Sequence, residues 1–126
     1  MVLALPIGWN RERNHDTMGI RTFPLVSMGA CAFILIGRHF IDGQSPDALA
    51  RVLQGLMTGI GFIGGGAILK HGQSVSGTAA AASIWLVGAI GAAAGIGYWG
   101  LAVTLSLLTV AVVALLGQFK GKINED

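Results

Sequence analysis

The feature that most constrains this chain is a run of forty-nine residues, from His71 to Phe119, without a single Asp, Glu, Lys or Arg. A membrane-spanning helix needs about 20 mostly apolar residues. The run is therefore long enough for two spans and a tight turn, which we place at Gly95–Tyr98. Two shorter uncharged gaps precede it, Thr22–Gly37 and Val52–Leu69. Together these gaps predict four spans at Thr22–Phe40, Leu49–Leu69, Thr78–Gly95 and Trp99–Gln118.

Composition supports the same fold class. The 126 residues are 53% hydrophobic and 11% charged, whereas soluble domains carry about 25% charged residues. Helices that are apolar on every face leave too little polar surface for water, which argues against an ordinary soluble enzyme. We predict an all-α fold, a polytopic membrane helical bundle with four full transmembrane helices at residues 1–118 and a short cytoplasmic tail at 119–126. Met1–Trp9 is too short to span, and we interpret it as a short N-terminal helix remnant, with an interfacial or re-entrant segment as the alternative.

The positions of the basic residues predict the orientation. Six of the eight fall on one side if the spans alternate, namely Arg11, Arg13, Arg21, Lys70, Lys120 and Lys122, against Arg38 and Arg51 on the other. Lys and Arg are enriched in cytoplasmic loops, so we expect the C-terminus in the cytoplasm. The basic residues are scattered and build no basic face, which argues against a nucleic-acid partner.

Glycines are the predicted means of helix packing. In lipid, small residues let backbones approach closely, and this is a main source of helix association. The spacing predicts a hairpin between the second and third full spans, packed through small residues, while the last span is expected to face lipid. The predicted packing positions are Gly55, Gly59, Gly61, Gly65, Gly66, Gly88, Gly91 and Gly95.

Polar residues inside the spans are few. No Asp or Glu lies within a predicted membrane-spanning core, which argues against a buried carboxylate that would drive transport or hold dehydrated Mg²⁺. Arg51, Gln54 and Thr58 share one stripe of the second full span, and we expect it to point into the bundle. Two readings stay open: a site for an anion, a lipid headgroup or a partner, and a snorkelling Arg with two ordinary polar neighbours. We find no catalytic residue, no metal-ligand spacing and no cofactor motif.

Four motifs resemble the MgtC/SapB family of bacterial inner-membrane proteins. They are Gly8-Trp9-Asn10-Arg11-Glu12, Gly19-Ile20-Arg21-Thr22, the segment from Gly59 to Leu69, which reads GIGFIGGGAIL, and the segment from Val75 to Ala81, followed by Trp85 and Gly91. The resemblance implies that Arg11, Glu12 and Arg21 lie in a cytoplasmic loop. Asn10 stands where the family has an acidic residue. The sequence ends soon after the last predicted span, so we expect it to be without the soluble C-terminal domain of the virulence-associated branch.

The resemblance also implies a function. Family members are tied to survival in low Mg²⁺ and inside phagocytes, were once labelled magnesium transporters, and in one branch resemble a modulator of the membrane ATP synthase. We therefore expect a non-enzymatic membrane protein, linked to Mg²⁺ homeostasis, that acts through helix–helix contacts with a membrane partner or with itself. Membrane lipids are its other expected partners. The alternatives are a small ion or solute transporter or channel, for example for Mg²⁺, and a structural subunit without a ligand.

Overall fold

The computed structural model describes residues 1–14, 19–40, 46–71 and 74–123. Within these ranges the chain forms a short 3-10 helix at Val2–Ala4, five α-helices and one β-hairpin. The elements are α1 (Leu5–Asn14), α2 (Thr22–Phe40), α3 (Pro46–Gly66), β1 (Leu69–His71), β2 (Ser74–Ser76), α4 (Thr78–Ile96) and α5 (Trp99–Ile123). The all-α membrane fold class is confirmed.

The predicted number of full spans is one too high among the described residues. Three helices are long and apolar enough to cross a membrane, over Thr22–His39, Asp47–Gly66 and Thr78–Ile96. The described apolar part of α5, Trp99–Leu115, is shorter. The helix itself continues to Ile123, five residues beyond the predicted end at Gln118 and into the predicted tail. Residues 124–126 of that tail lie outside the described residues.

Helix α4 is the centre of the bundle. In its apolar stretch 56% of the residues are buried, against 11% in α3. Gly91 of α4 lies against Ser27 of α2, and Gly95 lies against Cys31. Residue numbers rise together along this crossing, so α2 and α4 run parallel. Helix α3 is antiparallel to α4 on another side.

Helix α5 closes the bundle on the side of the N-terminal segment. The Ser106 hydroxyl donates a hydrogen bond to the carbonyl oxygen of Leu3 at 2.7 Å, and Ala102 is fully buried. Leu101, Leu107 and Leu108, in contrast, are exposed. The last helix therefore has one packed face and one exposed apolar face, as expected for a helix at the outside of a membrane bundle.

The α3–α4 connection differs from the predicted loop. Leu69, Lys70 and His71 pair antiparallel with Ser76, Val75 and Ser74. Helix α3 begins at Pro46, where the fixed φ of proline suits the first helical position, and ends at Gly66. The predicted span Leu49–Leu69 was therefore placed three residues too late at each end. The predicted turn at Gly95–Tyr98 is confirmed in its place but is shorter, since α4 continues through Ile96 and only Gly97 and Tyr98 lie between α4 and α5. The amide of Tyr98 donates to the carbonyl oxygen of Ala93 at 2.9 Å.

Candidate functional site

A close helix crossing lies between α4 and α2. A Cβ atom built on Gly95 would lie 2.8 Å from Ile34 Cβ and 2.9 Å from the carbonyl oxygen of Cys31. One built on Gly91 would overlap the carbonyl oxygen of Ser27. The sequence analysis singled out both glycines but assigned them to the α3–α4 hairpin. The structure assigns them to the α2–α4 pair instead, because α4 is enclosed on several sides and this face lies toward α2.

The contact between α3 and α4 uses other residues than the predicted stripe. The side chain of Ile60 covers Gly88, and a Cβ on Gly64 would lie 3.4 Å from the carbonyl oxygen of Ala81. Gly61 approaches Trp85 Nε1, at 3.8 Å from its built Cβ. The other four predicted positions on α3 have no heavy atom within 4 Å of a built Cβ: Gly55, Gly59, Gly65 and Gly66. Among the residues that the structure describes, these four glycines make no close helix contact, because they lie on the exposed face of α3.

The polar stripe of α3 also lies outside. Arg51, Gln54 and Thr58 are all exposed, so the expectation that they point into the bundle is wrong. Thr58 Oγ1 donates to the carbonyl oxygen of Gln54 at 2.9 Å. Gln54 and Thr58 line an open groove of about 540 Å³, whose far wall is Trp85 of α4. The groove is largely apolar with one amide and one hydroxyl, which suits a lipid chain or a helix better than a hydrated ion.

Two of the motifs meet where α1 crosses the start of α2. A Cβ on Gly8 would lie 2.9 Å from the carbonyl oxygen of Gly19, and one on Gly19 would lie 2.8 Å from Glu12 Cβ. Glu12 Oε2 accepts a hydrogen bond from the amide of Ile20 at 2.6 Å. A carboxylate that accepts from free amides at a helix N-terminus stabilises that helix. Arg11 and Glu12 are thus on the last turns of α1 rather than in a loop, and Arg21 is the exposed residue just before α2.

Arg11 is unusual among the charged residues, because it is 7% exposed. Its Nε has no hydrogen-bond partner in the part of the chain that the structure describes. Burial lowers the pKa of this guanidinium, since leaving water disfavours the charged form. The sequence marked Arg11 through a motif but gave no sign of its burial.

Sequence reasoning missed the contact made by Arg38. Its guanidinium Nη1 donates to the carbonyl oxygens of Gly95 at 3.2 Å and Ile96 at 2.9 Å. These are carbonyls of the last turn of α4, which lack partners within the helix. The predicted spans could have indicated this contact. The first and third full spans are parallel and similar in length, so the end of one lies beside the end of the other.

The third and fourth motifs meet at the connection between α3 and α4. Gly77 has φ +83° and a Cβ built on it would overlap the carbonyl oxygen of Ala67, so the third motif contacts the start of the fourth. Among the residues that the structure describes, no group of three or more His, Cys, Asp or Glu side chains could hold a metal ion. The four motifs therefore form helix junctions. Among the described residues, these junctions consist of close glycine contacts, hydrogen bonds at helix ends and the buried guanidinium of Arg11.

These features define a polytopic α-helical membrane protein whose helices cross closely at glycine. The sequence profile of the MgtC family matches residues 1–122, and the chain belongs to that family. The family resemblance carried by the four motifs is confirmed.

Three curated relatives show the extent of the similarity. Protein SrpB of Synechococcus elongatus is 35% identical over 126 residues, which cover 90% of this chain and 69% of SrpB. Protein MgtC of Salmonella typhimurium is 33% identical over 125 residues, or 99% of this chain and 52% of that protein. The protein of Escherichia coli K12 named "Putative magnesium transporter YhiD" is 34% identical over 117 residues, or 89% and 54%. The chain therefore spans about half the length of MgtC and YhiD. No solved structure matches it.

Proposed function

We propose that this chain is the membrane domain of a non-enzymatic protein of the bacterial inner membrane that acts through helix–helix contacts. Its partner is another membrane protein or a second copy of the chain. We place its role in Mg²⁺ homeostasis and adaptation to low Mg²⁺, with the C-terminus in the cytoplasm.

The observation that carries the proposal is the open face of α3. Gly55 and Gly59, one turn apart, have no heavy atom within 4 Å of a built Cβ. Phe62 on the same helix is 86% exposed. Small residues spaced four apart on a membrane helix are the surface on which a second helix can approach closely. The packing among the described residues leaves this surface unused.

The link to magnesium comes from relatedness. Membership of the MgtC family and the name given to YhiD support a role in Mg²⁺ handling. The residues of this chain favour an indirect role. Mg²⁺ prefers oxygen ligands with carboxylates among them, and Asp47 in the first turn of α3 is the one carboxylate within α2, α3, α4 and α5.

One observation favours the alternative, a small transporter or channel. The groove at Gln54, Thr58 and Trp85 places two polar side chains at a helix that is rich in glycine, and irregular or glycine-rich helices often line transport sites. This reading predicts Mg²⁺ flux into liposomes that hold the purified protein, lost on Gln54→Ala or Thr58→Ala. Flux with that dependence would replace the proposed function.

The test of the proposal is Gly59→Leu. The new side chain enters open space within one chain, so insertion and folding should persist, while close approach of a second helix is blocked. We expect the crosslinked assembly isolated from native membranes to fall about tenfold or more, as loss of a packing interface predicts. Gly29→Leu on α2 is the matched control, because Gly29 also has open space around it. An unchanged assembly in Gly59→Leu would contradict the proposal.

A further inference from the structure

The buried arginine of α1 carries a positive charge for which the described residues provide no acceptor at its Nε atom. Arg11 continues the buried stripe of Ala4 and Ile7, both 0% exposed, at helical spacing. A guanidinium keeps its proton at neutral pH, so the site holds a full positive charge. An unpaired buried charge is strongly unfavourable, and proteins meet it with a counter-ion or with several hydrogen bonds.

The neighbouring carboxylate is already engaged. Glu12 Oε2 accepts from the amide of Ile20 at 2.6 Å, and it is on the exposed side of α1. The Nε of Arg11 is left without a partner among the described residues. The chain thus offers a desolvated donor and no acceptor in the ranges described.

The level of Arg11 in the bundle suggests what supplies the acceptor. The crossing of Gly8 and Gly19 sets the last turns of α1 beside the start of α2. The span of α2 begins at Thr22, so Arg11 lies close to the height at which lipid headgroups meet water. Arg13 and Arg21, both exposed, add positive charge at the same end. Basic pockets between helices at this level suit phosphate-bearing head groups, and the planar guanidinium matches a phosphate with two parallel hydrogen bonds.

We propose that Arg11 anchors a binding site for a phosphate-bearing anion at the junction of α1 and α2. The source of the phosphate is the headgroup of an anionic lipid or free inorganic phosphate. The site is separate from the α3 face, and its existence does not depend on the function proposed above.

The experiment measures thermal unfolding of the purified chain in a maltoside detergent with a phosphate-free, low-chloride buffer. Inorganic phosphate is titrated in one arm. Phosphatidylglycerol is titrated into the micelles in the other, with phosphate-free diacylglycerol as the comparison. We expect the wild type to be stabilised in at least one arm, and the arm that responds identifies the source.

Three variants locate the site. Arg11→Gln should weaken the binding of the anion that stabilises the wild type by about tenfold or more, the loss expected when a charge-assisted hydrogen bond is removed. Arg11→Lys should retain part of the response. Arg13→Gln, which removes an exposed charge from the same helix, should retain nearly all of it.

Two outcomes overturn the proposal. One is a wild-type protein that responds to neither anion, a result that needs no variant to fold. The other is an equal loss of response in Arg11→Gln and Arg13→Gln, which would indicate diffuse attraction by surface charge. Asp16, a residue outside those described, is the alternative counter-charge. If neither anion stabilises the wild type, and Asp16→Asn lowers the unfolding temperature as much as Arg11→Gln does, the carboxylate of Asp16 balances the charge of Arg11 and no anion is bound.

Discussion

At Gly91 the backbone of α4 comes so close to α2 that a methyl group has no room. A Cβ there would overlap the carbonyl oxygen of Ser27, and Ser27 itself is buried. Backbone atoms cannot move aside as the end of a flexible side chain can. The hydrogen atom of glycine is therefore the structural requirement at this residue, and conformational freedom is not the reason for it.

The first prediction concerns this residue. Gly91→Ala should destabilise the bundle by about 1–3 kcal/mol, the range for overpacking a tight contact, as measured by reversible unfolding in mixed detergent micelles. Gly29→Ala is the matched control on α2, since a methyl group there meets no described atom within 4 Å. The control should be neutral or stabilising by up to about 1 kcal/mol, because alanine favours helix more than glycine does. Equal destabilisation of the two variants would contradict the role given to Gly91.

At the scale of the elements, two turns use glycine for different reasons. Gly77 before α4 has φ +83° and Gly97 after α4 has φ +94°, so both adopt the left-handed region. Only Gly77 also faces a backbone atom, the carbonyl oxygen of Ala67. Gly97 has open space and ends α4, with the amide of Tyr98 returning to Ala93. One junction needs a conformation and a close approach, while the other needs a conformation alone.

This difference gives a second prediction. Gly97→Ala should destabilise the protein by about 1–2 kcal/mol, the cost of a left-handed conformation for a residue with a Cβ. Gly77→Ala carries the same cost together with the overlap on Ala67, which adds about 1–3 kcal/mol. The unfolding free energies of the two variants, measured side by side in the same micelles, should differ by the cost of the overlap with Ala67. A smaller loss at Gly77 than at Gly97 would show that the hairpin between α3 and α4 yields easily.

The elements also show what the sequence can and cannot predict. The bounds of α2 were predicted correctly at Thr22–Phe40, because charges flank an apolar run of the right length. The face that α4 turns to each neighbour was not, since its Ala and Gly residues lie on every side and no period distinguishes one face. The hairpin at Leu69–Ser76 was missed, because strands of three residues carry too little alternation to be recognised. The burial of Arg11 was beyond sequence reasoning as well, since it depends on how α1 crosses α2.

At the scale of the whole molecule, the bundle has two unlike ends. One end carries the hairpin, the start of α4 and the α1–α2 junction, with Arg13, Arg21 and Lys70 exposed. At the other end, Arg51 is exposed, while the guanidinium of Arg38 donates hydrogen bonds to the carbonyl oxygens of Gly95 and Ile96. Tyr98 and Trp99 lie exposed there, as aromatic residues at a membrane interface do. This asymmetry of free positive charge is the physical basis for the orientation we propose.

The last prediction tests that orientation. In a Cys31→Ser background, Lys70→Cys and Tyr98→Cys each place one thiol at an exposed position, at opposite ends of α4. Because free Lys and Arg favour the cytoplasmic side, a membrane-impermeant maleimide added to spheroplasts should label Tyr98→Cys and leave Lys70→Cys unlabelled until the membrane is opened. Arg21→Cys should behave like Lys70→Cys, since α2 and α4 run parallel and start at the same end. If sealed spheroplasts show labelling of Lys70→Cys and Arg21→Cys but not of Tyr98→Cys, the orientation is the reverse of the one we propose. If only one of Lys70→Cys and Arg21→Cys is labelled, the parallel packing of α2 and α4 is contradicted.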